Sequence, residues 1–380
     1  MNKKKSPIQL AFITSQNPYD KKAWSGIYSF MLQSLQNEFE HVEVIGPIER
    51  PFLLKSTLGI LDLFHRLFYR KKYDKLRSSI LSKYYAEIIS SKLREKKIDV
   101  LFAPAASTEI AFLDTTIPIC YYSDSSFAQI SDYYIQYSEL SSKSKRESNQ
   151  IEKRAIGIAA ACVFSSAWAT DYVNTYYQKP KDQLFTVKFG ANLLPSEKIN
   201  IAQKVPSNPF NLLFLGVDWQ RKGGEKAVAA YTKLKQKGFN VNLTICGCNP
   251  SLTDKAILVI PFLDKNNVTD QAKLHQILRD THLMLLPTEA DCTPIVLNEA
   301  AAFSIPVIAA DTGGISSQIE HGFNGFLAIK DDDYPHYAQR LIEDKALYQQ
   351  IASNARHKFE TELNWNTWGE KMRVIIEKIV

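Results

Sequence analysis

Short apolar runs that do not alternate with polar residues recur along this chain, with stretches of helical period between them. In the first half they are Ile8–Thr14, Val42–Ile45, Val100–Ala103, Ile117–Tyr122, Ala161–Ser165 and Leu184–Val187. In the second half they are Phe210–Gly216, Val241–Cys246, Ala256–Ile260, Leu283–Pro287 and Val307–Ala310. A strand without alternation has no solvent face and must be covered on both sides, as in a parallel sheet between helix layers. Strand and helix in turn therefore predict an α/β chain with a parallel sheet in each half. A length of 380 residues accommodates two such cores. The polar stretch near 194–208, with Pro195, Pro206 and Pro209, reads as a linker. That places an N-terminal domain at 1–195 and a C-terminal domain at 196–360. The helical tail 361–380, with Trp365 and Trp368, is expected to pack back on the first domain.

Apolar residues at 45% and charged residues at 23% are ordinary for a folded protein. A net charge of +6 does not by itself indicate a nucleic-acid partner, and no aromatic–basic module supports one. The cations are uneven, however. Between Arg50 and Lys97 they include Lys55, Arg66, Arg70, Lys71, Lys72 and Lys75, with few acids among them, a field that attracts phosphates or anionic lipid. Within it, the run Phe52–Arg70 mixes apolar and basic residues at helical spacing. It reads either as a surface for a lipid-linked or anionic acceptor at a membrane or as a core helix with a solvated basic face. His65 in this run reads as a packing or surface histidine rather than a base. Of the five cysteines, Cys120, Cys162, Cys246, Cys248 and Cys292, most sit in strand-like runs, as expected for reduced core thiols. No run approaches the roughly 18 apolar residues of a membrane span. The expectation is a cytoplasmic protein, with membrane contact only at its surface.

In open α/β sheets ligands bind past the carboxyl ends of strands, so the residues just after each run matter most. Leu286–Ala300 holds the most informative loop. Thr293 is a fair N-cap and Pro294 a good first helical residue, which would leave N–H groups of Ile295 and Val296 free for a phosphate or a sugar hydroxyl. Asp291 in that loop and Glu299 in that helix suit hydrogen bonds from vicinal hydroxyls; the plainer reading is a loop acid and a helix-surface acid. After Gly216, Arg221 and Lys222 stand at a helix start where two cations can clamp a diphosphate, and Gly223 and Gly224 allow close approach. The spacing is not that of a Walker loop. Gly313 and Gly314 suit a tight turn, and Gly26 could offer its N–H to a phosphate from the opposite half. The acidic run Asp331–Asp333 reads as a solvated surface loop.

Together these stretches resemble the retaining glycosyltransferases of family 4. The family pattern E-G-F-G-L-P-x-x-E-A, followed by P-V-I and G-G, corresponds here to Asp291–Ala300, Pro306-Val307-Ile308 and Gly313-Gly314. A G-x5-K-G motif corresponds to Gly216 through Lys222 and Gly223, and Phe189-Gly190-Ala191-Asn192 resembles the family's P-N-G-V-D segment. The likeness runs from Trp24 to Asn324 and is dense in the second half. It departs at Asp291, one methylene shorter than the usual glutamate, and at Val217, where the family has arginine and Arg221 takes over the charge. Where relatives carry a histidine near the reacting sugar, this chain has Asp124.

The resemblance implies a GT-B fold, two Rossmann-like domains facing a central cleft. It implies hexose transfer from a nucleotide-diphosphate sugar to a saccharide or lipid-linked acceptor, with retention and no obligatory metal, in polysaccharide or glycoconjugate synthesis. Arg221, Lys222, Asp291 and Asp124 would act in catalysis. Gly26, Gly216, Thr293, Pro294, Ile295, Val296 and Glu299 would bind the donor. A noncatalytic nucleotide-sugar-binding protein and a nucleotide-sugar epimerase are the rival readings.

Overall fold

A computed structural model of the protein describes residues 4–193 and 205–380. Most of the expected linker, Pro195 included, lies outside the described residues. The described chain divides into two compact units, one of residues 4–23, 27–187 and 369–380, the other of residues 24–26, 188–193 and 205–368.

The first unit holds a sheet of β1 (Ser6–Ile13), β2 (Phe39–Ile45), β3 (Val100–Pro104), β4 (Ile119–Ser123), β5 (Ala161–Phe164) and β6 (Leu184–Thr186), in the order β2-β1-β3-β4-β5-β6. Every pairing in it is parallel. The second unit holds β7 (Phe210–Leu215), β8 (Val241–Cys246), β9 (Leu258–Ile260), β10 (Leu283–Leu286), β11 (Val307–Ala310) and β12 (Phe326–Ala328), in the order β12-β11-β10-β7-β8-β9, again all parallel. The α/β class and all eleven expected strands are present. The twelfth, β12, was not foreseen: it is a three-residue edge strand, Phe326–Ala328, that directly follows the Asn324-Gly325 turn and leads into the acidic run.

Burial on both faces accounts for the missing alternation. Along β7, Leu212 and Phe214 enter one core cluster while Leu213 and Leu215 enter another. Along β10, Leu283 and Leu285 go to the first and Met284 and Leu286 to the second. Both faces are buried, so Leu212–Leu215 and Leu283–Leu286 are apolar whichever way they point; only Asn211, near the start of β7, is polar and half-buried.

The segment expected at the domain junction is tied into the second unit. Phe189 O accepts from Asn298 Nδ2 at 2.9 Å, and Ala191 N donates to Leu363 O at 2.9 Å. Gly190 lies so close to the start of the last helix, Trp365–Ile379, that an added Cβ would stand 2.4 Å from Trp365 N. Trp365 Nε1 donates to Asn192 Oδ1 at 3.0 Å. That helix changes unit along its length: Trp365 and Trp368 count with the second unit, and from Gly369 onward it counts with the first. There Arg373 Nη1 donates to Lys4 O at 2.7 Å.

Leu285 is fully buried at the centre of the second sheet. Leu285→Ala is expected to lower the stability of this unit by about 2–5 kcal/mol through lost transfer energy and a residual cavity, read as a lower denaturant midpoint at unchanged slope. A midpoint equal to the wild type would contradict this placement of the core.

Candidate functional site

The strand order of the second sheet reverses at β7: β8 and β9 extend to one side, β10 to β12 to the other. In open α/β sheets such a switch point, past the carboxyl ends of the strands that flank it, here β7 and β10, is where ligands bind. The loop 216–223 after β7 and the loop 287–294 after β10 border it. The two loops meet backbone to backbone. Gly223 has a positive φ of 73°, and a Cβ there would fall 1.9 Å from Pro287 O, so only glycine fits. Arg221 O accepts from Glu289 N at 2.7 Å and from Thr288 Oγ1 at 3.0 Å. Arg221 Nη1 donates to Ala290 O at 2.9 Å.

This stitching brings three of the expected site residues together. The Lys222 ammonium pairs with the Asp291 carboxylate, and Arg221 Nη1 stands 3.7 Å from the same oxygen. Lys222 and Asp291 side chains are both 11% exposed, so their attraction is only partly screened by water. Arg221 also pairs with Asp218 at 3.2 Å. Gly216 lies against the aliphatic stem of Lys222. The helix Gly224–Gln236 begins directly after this cationic turn, with Gly223 as its N-cap.

The helix that follows β10, Ile295–Ala302, starts later than expected. Its N-cap is Pro294, held extended at ψ 116° and with no side-chain oxygen to cap the helix; Thr293 precedes the cap and is buried. Proline's fixed φ suits either position, and here the bend falls one residue further on. Pro294 O accepts from Gln318 Nε2 at 3.1 Å, Ile295 joins the buried core, and Val296 is half-buried.

Glu299 is not a helix-surface acid. It is 1% exposed, and its Oε1 accepts from Lys265 Nζ at 2.6 Å, while Oε2 is buried without a protein partner. Lys265 was missed in the sequence. The available signal was a cation just past the carboxyl end of β9, but nothing in the spacing ties positions 265 and 299. Two acid–cation pairs thus lie beyond strand ends of one sheet, Asp291 with Lys222 and Glu299 with Lys265. Behind them Gln318 Nε2 donates to Asn298 Oδ1 at 2.7 Å, bracing the helix. Asp331 pairs with Lys226 at 3.3 Å, Asp332 with Lys233, and Asp333 accepts from Ile329 N and Lys330 N, so the acidic run serves local contacts.

The other two expected site residues come from the N-terminal part of the chain. Gly26, read as acting from the first half, belongs to the second unit; Trp24 packs edge-on to Phe189 and Ser25 O accepts from Asn192 Nδ2 at 2.8 Å. Asp124 follows β4 in the first unit, where its Oδ1 accepts from Ser125 Oγ at 3.3 Å. Buried carboxyls that the sequence did not single out share that sheet end. Glu109 accepts from Ser15 N at 3.2 Å and Glu152 from Tyr121 Oη at 2.8 Å. Burial raises the pKa of both above the usual carboxylate value, opposed in part by hydrogen bonds and by Arg77.

Sucrose-phosphate synthase from Thermosynechococcus elongatus superposes with a TM-score of 0.68 at 14% identity, over 98% of this chain and 99% of that one. HepE from Anabaena in complex with UDP-glucose superposes at 0.62 with 15% identity, over 98% and 100%. The fold is GT-B. Residues 196–358 match the family model for glycosyl transferases group 1. Among curated relatives, the amylovoran biosynthesis glycosyltransferase AmsK of Erwinia amylovora is 26% identical over 246 residues, 55% of this chain and 59% of that protein. The chain spans about half the length of the curated relatives it matches. Within this GT-B chain the family match encloses Gly216, Arg221, Lys222, Asp291, Lys265 and Glu299 but neither Gly26 nor Asp124.

Lys265→Met leaves the Glu299 carboxylate buried without its cation and is expected to cost about 1–3 kcal/mol, the side chain of Lys265 being only partly covered. Adding Glu299→Gln should restore most of that loss. Equal melting of wild type and single variant would show that the pair is not structural.

Proposed function

We propose that this chain is a glycosyltransferase that moves a hexose from a nucleoside-diphosphate sugar to a saccharide or lipid-linked acceptor, with retention at the anomeric carbon. The observation that carries the reading is the pairing of Lys222, with Arg221 beside it, to Asp291 at the switch point of the second sheet. A diphosphate offers more charge and more oxygens than one carboxylate, so on binding it takes over both cations. Asp291 then turns its oxygens to a hydroxyl of the hexose. Glu299, with Oε2 lacking a protein partner, is suited to accept from the ribose hydroxyls while Lys265 neutralises it.

In the reaction the bond between the anomeric carbon and the phosphate oxygen breaks, and the acceptor oxygen bonds to that carbon on the same face. The acceptor's proton passes to the departing phosphate oxygen, so no protein nucleophile is used. Arg221 and Lys222 stabilise the negative charge that grows on the leaving group, and their preorganised positions need little rearrangement as it forms. The match over 196–358 and the amylovoran biosynthesis named for AmsK support the reading, and the UDP-glucose bound to HepE makes UDP-sugars the first donors to test.

A panel of nucleotide sugars screened by thermal shift should contain a donor that raises the melting temperature, since a ligand at about 100 times its Kd stabilises by roughly 2.7 kcal/mol. Lys222→Ala should abolish that shift and lower turnover about 100-fold, near 3 kcal/mol in the barrier. Unchanged affinity and turnover in the variant would falsify the phosphate clamp. A new sugar formed without any acceptor would instead favour an epimerase, and binding without turnover a noncatalytic protein.

A further inference from the structure

The helix Phe52–Tyr69 in the first unit has one face pinned and one face uncovered. Leu54, Leu58, Asp62 and His65 point inward. His65 Nδ1 lies 2.6 Å from Ser141 Oγ and Asp62 Oδ1 accepts from Tyr73 N at 2.9 Å, so the helix is held by polar contacts as well as packing. Burial lowers the His65 pKa, in keeping with a packing histidine. The outward face carries Leu53, Ile60, Leu63, Phe64, Leu67 and Phe68. Positions 53, 60 and 67 recur every seven residues along one line, with the others beside it. Leu53 is 78% exposed, Ile60 and Leu67 68% each and Phe68 70%, a contiguous apolar stripe rather than scattered residues.

The flank of this stripe is cationic. Arg50, Lys55, Arg66, Lys72 and Lys75 line a groove of about 570 Å³ along the helix, together with Asp62 and Asp74, and Lys72 pairs with Glu139. Asp62 is already held by Arg66 at 3.0 Å and Lys75 at 3.9 Å. Arg70 and Lys71 are exposed just past the helix end. A second copy of this chain would bring the same positive rim against itself, which like-charge repulsion opposes. An anionic bilayer instead complements both halves of the surface: headgroups meet the cations and the acyl boundary takes the apolar side chains. Among the described residues no helix is long and apolar enough to cross a membrane, so this one would lie on it.

We propose that the helix Phe52–Tyr69 docks the protein on anionic lipid bilayers, with Leu53, Ile60, Leu63, Phe64, Leu67 and Phe68 inserted and the Arg50–Lys75 cations on the headgroups.

Co-flotation of the full chain with vesicles tests this. Vesicles with about one-third phosphatidylglycerol in phosphatidylcholine should carry the protein, and pure phosphatidylcholine should bind it roughly tenfold more weakly. Leu67→Glu with Phe68→Glu should lower partitioning roughly tenfold or more at an unchanged melting temperature, because both sites are solvent-exposed. Lys55→Glu with Arg70→Glu should weaken binding to anionic vesicles and flatten its salt dependence. Failure of the wild type to float with anionic vesicles, or full binding by the apolar-face variant, would overturn the proposal. So would a dimer in solution that Leu67→Glu splits, since the stripe would then be a contact between copies.

Discussion

The approach of Gly223 to the Pro287 carbonyl is the constraint on which the candidate site rests. Two loops that leave neighbouring parallel strands on opposite sides of a switch point ordinarily diverge. Here a residue without a Cβ and with positive φ lets their backbones touch, and Arg221 is then held on both sides by the other loop's amide and carbonyl groups. Lys222 is delivered to Asp291 as a consequence.

Both acid–cation pairs are poorly solvated, and this bears on what they can do. Charges removed from water gain from their partners but do not gain much relative to an apolar replacement, so such pairs are weak evidence of a purely stabilising role. A pair that exchanges partners when an anion arrives is more useful. Lys222 and Arg221 converge on a single carboxylate, and a polyanion competes well for them. Glu299 is different: it is enclosed, and its second oxygen has no protein partner, so its contribution is as an acceptor held in place by Lys265.

The first unit shows how one element serves two environments. Helix Phe52–Tyr69 meets the core with two leucines, a paired aspartate and a histidine, yet turns its larger apolar side chains outward. Periodicity in the sequence showed an apolar and basic mixture but not which side faced the core. In most amphipathic helices the bulkier apolar side is buried; here it is the exposed one, which only the packing of His65 on Ser141 and of Asp62 on Tyr73 reveals.

The strand runs, the α/β class and the two loops with their cations and acids were legible in the amino-acid order, because burial on both sheet faces and the turn chemistry of glycine and proline leave local marks. The short edge strand β12, the start of the helix at Ile295 and the partnership of Lys265 with Glu299 were not legible. The three residues of β12 lie between a glycine turn and an acidic run, and only their pairing with β11 marks them as a strand. The helix start depends on Pro294 lying extended, and an ion pair across 34 residues leaves no spacing to detect. Sequence alone determined which local elements form and which chemistry their ends carry. Tertiary structure decided which charges meet, whether Glu299 faces water or the interior, and which side of helix Phe52–Tyr69 is left bare, because these follow from distances between segments far apart in the chain.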